Sequence, residues 1–400
     1  MATFSLSTAS SLFKRKFGKL TENMYNSANV TTSQIKKDYS FTGTGLYMAI
    51  PLSFSGGVGS GSIPTAGVAS YSQAVLSAKK IYAKVLIDRE SIKASSNDEG
   101  AFVRGLKEVV KKGVESFMRN DSRMFYGNGD GSLGTTSATS GSNPYVLTFS
   151  AGYNLANFEE GDIVNVETGN TDPFSVDTVA EQSDGTLDVT VTRLSGSQTP
   201  DGTDAVFMQN SENNDCDGLG NVLDATSSTL YSITVARRWQ ATQTDASSAT
   251  LDIDLMNQTS LAIEKNFGEP IDLIPCSYTQ YRKILNLLED QKRYPLPPRY
   301  GSDKMKAALS FNGVEFMTSS GPAALVPERF CPPDRVYFLN TDFITRFHRP
   351  DFGWFDDDGT VFLREFIGSS GTDSYSALYG GYYNNLIYPT AHGRIDALAT

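Results

Sequence analysis

The sequence predicts an α+β protein built from more than one structural unit. Residues 97–125 predict a long amphipathic helix, because apolar residues recur there at steps of three and four. Short alternations of apolar and polar residues between positions 145 and 208, separated by Asp-Gly and Glu-Gly pairs, predict a series of strands. A chain of 400 residues also exceeds what one hydrophobic core usually serves, so two or more domains are expected.

The composition is that of a folded protein with a surface poor in charge. Apolar residues make up 39% and charged residues 20% of the chain, and 35 glycines favour strands, turns and extended arms. The net charge of −11 is unevenly distributed, because residues 1–38 carry six basic and only two acidic side chains. A basic arm of this kind suits docking on the acidic surface of a neighbouring copy, contact with nucleic acid, or simple exposure to solvent.

The cysteines and the apolar runs exclude several classes of protein. Cys216, Cys276 and Cys331 are odd in number and contain no CxxC pair, which argues against a disulfide framework and a zinc ribbon. No secretory signal is predicted, and no apolar run approaches the roughly 18 residues that a membrane-spanning helix needs. No membrane partner is therefore expected.

The N-terminal quarter of the chain is predicted to reach out to other surfaces. Residues 1–38 form an arm whose low hydrophobicity indicates that it folds only against a partner. Residues 39–90 are predicted to be an extended β-hairpin loop, with strands at 41–54 and 73–90 around a glycine-rich tip. A two-stranded arm is marginally stable in water, so a second subunit is expected to cover it. The candidate assembly contacts are Lys14, Arg15, Lys16, Lys19, Gly56, Gly57, Gly59, Gly61, Lys79, Lys80 and Lys84.

The long helix has predicted start and stop signals. Ser96 and Glu99 form a capping box, and Gly127 is expected to end the helix in the left-handed conformation. Residues 129–134 match the GxGxxG pattern of dinucleotide-binding loops. That motif needs a strand before it and a helix after it, whereas here a helix precedes the glycines and a predicted linker at 135–143 follows them. The glycines therefore favour a helix stop and a tight turn.

The second half of the chain is predicted to contain a β lobe and a mixed region. Residues 144–212 are expected to form a small inserted β-barrel or sandwich with an acidic surface, because they hold many carboxylates, no lysine and only Arg193. From residue 213 to 400, helices and strands alternate. The lobe strands are predicted at 145–149, 162–167, 174–179, 187–193 and 205–208. In the mixed region, helices are predicted at 251–267 and after Ser277, and strands at 271–275, 313–317, 335–340, 360–366 and 375–387.

Little material for catalysis is present. His348 and His392 are the only histidines, and neither has a neighbour in sequence that suggests a base or ligand role. The carboxylates of residues 356–358 are consecutive and precede a glycine, which favours a turn over a metal site. No P-loop occurs. No enzymatic activity and no cofactor are expected.

The passage from the hairpin into the helix resembles the major capsid proteins of tailed phages, which share the Hong Kong 97-like fold. The resemblance lies in residues 83–91, in the helix at 102–123, and in the aromatic and glycine-rich ending at 125–131. The order of the parts along the chain resembles that family as well.

The resemblance implies a division of the chain into named parts. Residues 39–90 are the extended loop that lies over a neighbouring subunit, and 91–134 are the spine of a peripheral domain. Residues 213–400 are an axial domain with returning peripheral strands. The lobe at 144–212 departs from the minimal family pattern, so its role stays open.

The function implied is that of a shell subunit. The chain is expected to self-assemble as hexamers and pentamers into the icosahedral shell around the double-stranded DNA of a tailed phage. Scaffold and portal proteins, a decoration protein and non-specifically bound DNA are the further partners implied, and the protein is made in the host cytoplasm and ends in the virion. Two alternatives stay open: an encapsulin-like nanocompartment, and a surface- or glycan-binding β protein built around the lobe.

Overall fold

The three-dimensional structure is a computed structural model that describes residues 30–41, 45–53, 70–88, 99–224, 229–289, 314–319, 321–349, 351–356, 361, 363–365 and 374–400. The α-helices in these residues are α1 (Val30–Gln34), α2 (Glu99–Tyr126), α3 (Leu219–Asp224), α4 (Ile253–Phe267) and α5 (Tyr278–Glu289). The strands of the first half are β1 (Lys36–Asp38), β2 (Gly45–Ser53), β3 (Ser70–Ser77), β4 (Lys79–Asp88), β5 (Ser132–Gly141), β6 (Tyr145–Phe149), β7 (Ile163–Val166), β8 (Pro173–Glu181), β9 (Leu187–Arg193) and β10 (Ala205–Met208). The strands that follow are β11 (Thr229–Leu230), β12 (Ile233–Thr234), β13 (Thr242–Asp245), β14 (Leu273–Cys276), β15 (Val314–Thr318), β16 (Gly321–Pro327), β17 (Val336–Phe338), β18 (Ile344–His348), β19 (Gly353–Trp354), β20 (Leu363–Glu365), β21 (Ser374–Ile387) and β22 (Gly393–Asp396).

A six-stranded sheet with the longest helix on one face forms the first unit. β21 pairs with β4 on one side, and with β18, β19 and β20 in succession on the other side. The short strand β1 extends the sheet beyond β18. Helix α2 packs on the sheet through Val114, Phe117 and Met118, which lie in one buried cluster with Ile81 and Tyr379. The predicted helix at 97–125 is confirmed to within two residues at its start and one at its end.

The predicted hairpin differs from the structure in its second strand. Residues 73–90 were expected to return along 41–54 as one strand, and this prediction is wrong. β3 pairs with β2, whereas β4, after a break at Ala78, pairs with β21 in the body of the protein. The predicted alternation within β4 is confirmed, because Ile81 and Val85 are buried while Tyr82 and Leu86 are exposed.

Six strands close into a small barrel in the order β10-β5-β6-β9-β8-β7. Side chains along each strand point alternately into and out of the barrel, and the inward ones form its core. Leu147, Phe149 and Phe174 are among the fully buried residues. Strands β6, β9 and β10 have the predicted bounds. The linker predicted at 135–143 is wrong, because β5 occupies it and pairs with both β6 and β10. A barrel closed in this way has no free strand edge.

A second six-stranded sheet, in the order β13-β22-β17-β14-β16-β15, forms the remaining unit. Helices α4 and α5 cover it through apolar residues that share one buried cluster with β14 and β16. The predicted helix end at Gly268 is confirmed, because this residue has the left-handed conformation (φ 90°). The predicted cap at Ser277 is also confirmed, because its side-chain oxygen accepts a hydrogen bond from the Gln280 N–H (3.3 Å). Strands β13, β16 and β22 of this sheet were not predicted from the sequence, nor were β1, β18 and β19 of the first sheet or the short pair of β11 and β12.

Candidate assembly surfaces

The hairpin of β2 and β3 is an uncharged surface with two different faces. No Asp, Glu, Lys or Arg occurs between Asp38 and Lys79. On one face Ile50 and Leu76 are buried in the main hydrophobic core. On the other face Tyr47 and Tyr71 are 62% and 67% exposed. Exposed aromatic side chains on a surface without charge are typical of protein–protein contacts.

A tight turn between β11 and β12 fixes the root of this hairpin. Tyr231 and Ser232 form the turn and both have positive φ (52° and 66°), a conformation that usually requires Asn or Gly there. Packing offsets the strain of an aromatic residue in this conformation. The Tyr231 hydroxyl donates to the carbonyl oxygen of Asn385 (3.0 Å). The backbone carbonyl oxygen of Tyr231 accepts a hydrogen bond from the Val75 N–H (3.0 Å). The turn therefore joins the hairpin to β21.

The N-terminal arm enters the body through buried polar contacts. Thr31 is fully buried, and its N–H and hydroxyl both donate to Glu328 Oε1 (2.8 Å each). The Thr31 hydroxyl also lies 3.0 Å from that of Tyr126 at the end of α2. Further along, Lys36 pairs with Asp342 (2.7 Å). The candidate residues Lys14, Arg15, Lys16 and Lys19 in the arm, and Gly56, Gly57, Gly59 and Gly61 in the tip, lie outside the described residues.

Three predicted contact lysines lie in the body sheet and not on the hairpin. Lys79, Lys80 and Lys84 all belong to β4, which pairs with β21. The Lys79 ammonium donates to the carbonyl oxygen of Asn213 (2.9 Å), and the Lys80 ammonium lies 5.9 Å from the centre of the Tyr382 ring. They lie in the body because β4 pairs with β21 and not with β2 as predicted. Their contact with another subunit stays a prediction.

A buried ion pair ties α2 to the sheet beneath it. Asp121 Oδ2 accepts from the Arg346 guanidinium (2.9 Å) and Oδ1 accepts from the Tyr383 hydroxyl (2.6 Å). The guanidinium also lies over the Tyr383 ring at 4.8 Å and donates through Nε to Asn385 Oδ1 (2.9 Å). Asp121 and Arg346 are fully buried. Because a buried charge that loses its partner is costly, this contact holds the helix in one position on β18 and β21.

Two arginines of α2 hold the barrel. Arg119 pairs with Glu159 and Asp162 of the barrel, and Arg123, one turn further along, pairs with Asp215 (2.9 Å) just after the last barrel strand. The two arginine side chains are 9% and 7% exposed. Burial raises the pKa of Asp162, and the positive charge of Arg119 opposes this increase. Charge-assisted hydrogen bonds at low exposure are among the stronger polar contacts, so they orient the barrel on the helix.

The glycine-rich segment is a turn into the barrel. Gly129 and Gly131 have positive φ (77° and 84°), and a Cβ on Gly131 would lie 2.1 Å from the carbonyl oxygen of Ser211. Strand β5 follows directly, which confirms that the segment does not have the strand-before, helix-after arrangement of a dinucleotide loop. The left-handed stop predicted at Gly127 is wrong. The Gly127 N–H donates to the carbonyl oxygen of Met124, three residues earlier (3.1 Å), so the last turn is tighter than an α-helical turn. The first residue with positive φ is Gly129, two positions later.

Burial shifts the pKa values of both histidines and of Cys216. His348 and His392 are fully buried. Burial lowers the pKa of His392 to about 3, and burial with the nearby Arg346 charge lowers that of His348 to about 4. Burial also raises the pKa of the Cys216 thiol to about 12. Within the part of the chain that is described, no group of three or more His, Cys, Asp or Glu is placed to bind a metal ion.

None of the described helices is both long enough and apolar enough to cross a bilayer.

Similarity to known proteins lies in the fold. No known protein family and no curated protein matches the sequence. The structure is similar to a chain of the cyanophage A-1(L) capsid asymmetric unit, with 11% identity, a TM-score of 0.53, and 95% of this chain and 93% of that chain covered. It also matches a chain from Gordonia phage Cozz, with 9% identity, a TM-score of 0.45, and 93% of this chain and 87% of that chain covered. A third match is the holo-SrpI encapsulin complex from Synechococcus elongatus (7% identity, TM-score 0.41, 92% and 87% covered). The likeness to the cyanophage capsid chain shows that this chain has the fold of a phage capsid protein.

Proposed function

We propose that this chain is the major capsid protein of a tailed phage and forms an icosahedral shell around double-stranded DNA. The observation that carries the proposal is the fold shared with the cyanophage capsid subunit over nearly the whole length of both chains. The uncharged hairpin adds support, because its exposed tyrosines need a partner surface in water.

The mechanism is mutual burial between copies of a Hong Kong 97-like subunit. The arm at residues 1–38 and the hairpin reach over neighbouring subunits. Helix α2 is the spine of the peripheral domain, and the second sheet with α4 and α5 is the axial domain at the centre of each hexamer or pentamer. The barrel is an inserted lobe. Closed rings of identical contacts then assemble into a closed shell.

Other partners follow from this role. Scaffold and portal proteins direct assembly, a decoration protein binds the outside, and DNA contacts the inner face without sequence preference. The protein is made in the host cytoplasm and acts in the virion. It performs no catalysis of its own and needs no cofactor.

Electron microscopy of the purified protein tests the proposal. Wild-type chain is expected to form closed shells, rings or tubes, and DNA inside particles from infected cells separates a phage capsid from a protein-filled nanocompartment. Replacing Tyr47 and Tyr71 by Asp should abolish the particles while the chain stays folded. Leu194→Asp is the control, since Leu194 is also a large, exposed apolar residue (56%) but directly follows β9 of the barrel and is not part of the hairpin. A wild-type chain that stays monomeric at high concentration under every salt and scaffold condition would contradict the proposal.

A further inference from the structure

A groove of about 620 Å³ lies between α2 and the barrel. Residues of α2 from Lys112 to Ser122 form one wall, residues 159–162 of the barrel form the other, and Arg329 and Phe330 also line the groove. At about 1.5 Å per residue, the wall formed by α2 is about 15 Å long. A segment of about five extended residues has this length.

The N-terminal arm joins the body at one end of this groove. Thr31 is fully buried, and its N–H and hydroxyl both donate to Glu328, which directly precedes two residues of the groove. The Thr31 hydroxyl also lies 3.0 Å from that of Tyr126, which comes one helical turn after Ser122. The chain on the N-terminal side of Thr31 therefore starts beside the groove.

The residues that precede this anchor match the groove in chemistry. Residues 25–29 are Tyr-Asn-Ser-Ala-Asn and carry no charge. The groove combines the buried apolar side chains of Met118 and Phe330 with charged ones, and Tyr25 combines an apolar ring with a polar hydroxyl. An acidic segment would fit poorly, because carboxylates outnumber cations along the groove. These are Glu115, Glu159, Glu160 and Asp162 against Lys112, Arg119 and Arg329.

We propose that residues 25–29 lie extended in the groove of their own subunit and run along α2 from the level of Tyr126 towards Lys112. An extended chain advances about 3.3 Å and a helix about 1.5 Å per residue. Ser27, four residues before Thr31, then comes to the level of Ser116, and residues 1–24 leave the groove at its far end, where they can reach a neighbour. The contact lies within one chain, so the inference does not depend on the proposed shell function.

This placement gives the arm a role in holding the barrel. A segment in the groove contacts α2 on one side and the barrel on the other, and it covers the ion pairs of Arg119 with Glu159 and Asp162. Ion pairs shielded from water are stronger than exposed ones. The position of the barrel on α2 therefore depends on the arm as well as on the arginine.

Double-cysteine cross-linking in the full-length chain tests the contact. Ser27→Cys is combined with Ser116→Cys in the groove, or, as the matched control, with Lys111→Cys. Lys111 lies on the same helix and is 44% exposed, but it is turned about 140° around the helix from Ser116. The three native cysteines are buried. After mild oxidation below the concentration of assembly, digestion and mass spectrometry without reduction should find the peptides of residues 27 and 116 joined, and no joined peptide in the control.

Thiol labelling is a second measurement that needs no bond between the two sites. In the Ser116→Cys chain, the further change Tyr25→Asp should speed labelling by a maleimide, because the new carboxylate is repelled by those of the groove and the segment leaves it. The labelling rate of Lys111→Cys should not change when Tyr25→Asp is added. An unchanged rate at Ser116→Cys would contradict the proposed contact.

Each outcome of the cross-linking decides one part of the inference. No joined peptide for Ser27→Cys with Ser116→Cys, or equal yields for this pair and the Lys111→Cys control, overturns the placement in the groove. A joined peptide only at doubled mass on a non-reducing gel shows that the arm of a second copy occupies the groove, which overturns the assignment to the same subunit. The test needs no particles, so a wild-type chain that fails to assemble counts against the capsid proposal alone.

Discussion

Replacing Asp121 by Asn should destabilise the folded subunit through the loss of a single charge. Asparagine has nearly the same shape as aspartate and keeps one acceptor oxygen for the Tyr383 hydroxyl, which now lies 2.6 Å from the carboxylate. The Arg346 guanidinium, bonded to the other carboxylate oxygen at 2.9 Å, would keep its positive charge in a fully buried position. The substitution therefore separates the cost of an unbalanced buried charge from the cost of lost packing.

The expected loss of unfolding free energy follows from the burial of the Arg346 charge. Removing one member of a buried pair costs about 3–5 kcal/mol, because the remaining charge has lost its counterion in a medium that solvates it poorly. A typical domain has only about 5–15 kcal/mol of unfolding free energy, so the variant should lose a large share of it. Lys111→Met is the matched control on the same helix. Lys111 and Glu115 form a pair at 3.6 Å whose side chains are 44% and 49% exposed, and its loss should cost at most about 0.5 kcal/mol.

Urea unfolding followed by tryptophan fluorescence measures both variants. Trp239 is buried and reports on the main core. The titration is run at a protein concentration below that of assembly, so that association does not add to the apparent stability. The double variant Asp121→Leu/Arg346→Met should lose less than the two single variants combined, because it leaves no buried charge behind. A loss for Asp121→Asn no larger than that of the Lys111→Met control would refute the reasoning.

Three further predictions concern pH, the glycine turn and the barrel. Lowering the pH from 6.5 to 5 should reduce stability, because burial lowers the pKa of His348 to about 4 and of His392 to about 3, so the unfolded chain binds protons that the folded chain excludes. Each histidine contributes at most about 1.4 kcal/mol per pH unit in this range, and urea titrations of His348→Phe should show a weaker pH dependence than the wild type. Gly131→Ala should lower the melting temperature more than Gly161→Ala, because both have positive φ (84° and 89°) but only the first would meet a carbonyl oxygen, at 2.1 Å. Equal decreases in melting temperature would show that the positive φ alone, and not the contact with the carbonyl oxygen, determines the loss of stability. Arg119→Met should speed limited proteolysis between α2 and the barrel, and an unchanged cleavage rate would mean that its ion pairs do not hold the lobe.

Local signals in the sequence were enough to locate the long helix and most of the barrel. The apolar spacing of α2 and the alternation in β6 and β9 depend only on neighbours within a few residues, and the structure places these elements within two residues of their predicted bounds. β5 was missed because its sequence is rich in Ser, Thr and Gly, which is also the composition of a linker. Its strand conformation depends on pairing with β6 and β10, and the β10 partner lies far along the chain.

The parts of the candidate site that depend on distant contacts could not be predicted. The alternation in β4 indicated a strand, but no local pattern distinguishes pairing with β2 from pairing with β21. The ion pair of Asp121 and Arg346 joins residues 225 positions apart, and each residue taken alone looks like an ordinary charged surface residue. A buried position for Arg346 had one indirect signal, the apolar residues near it in β18: Ile344 two positions before it and Phe347 directly after it.

The pairing of β4 changes what the hairpin can do mechanically. A single residue, Ala78, separates β3 of the hairpin from β4 of the body, so any movement of the hairpin root is passed directly into the sheet. β4 is paired along all ten residues with β21, and β21 bears Tyr383, which donates to Asp121 of the long helix. The hairpin, the sheet and α2 are therefore expected to move as one body, because a rotation confined to the hairpin would break the bond from Val75 to the strained turn at Tyr231. In the proposed shell, a neighbour bound to the hairpin would thus orient the hairpin, the sheet and α2 together.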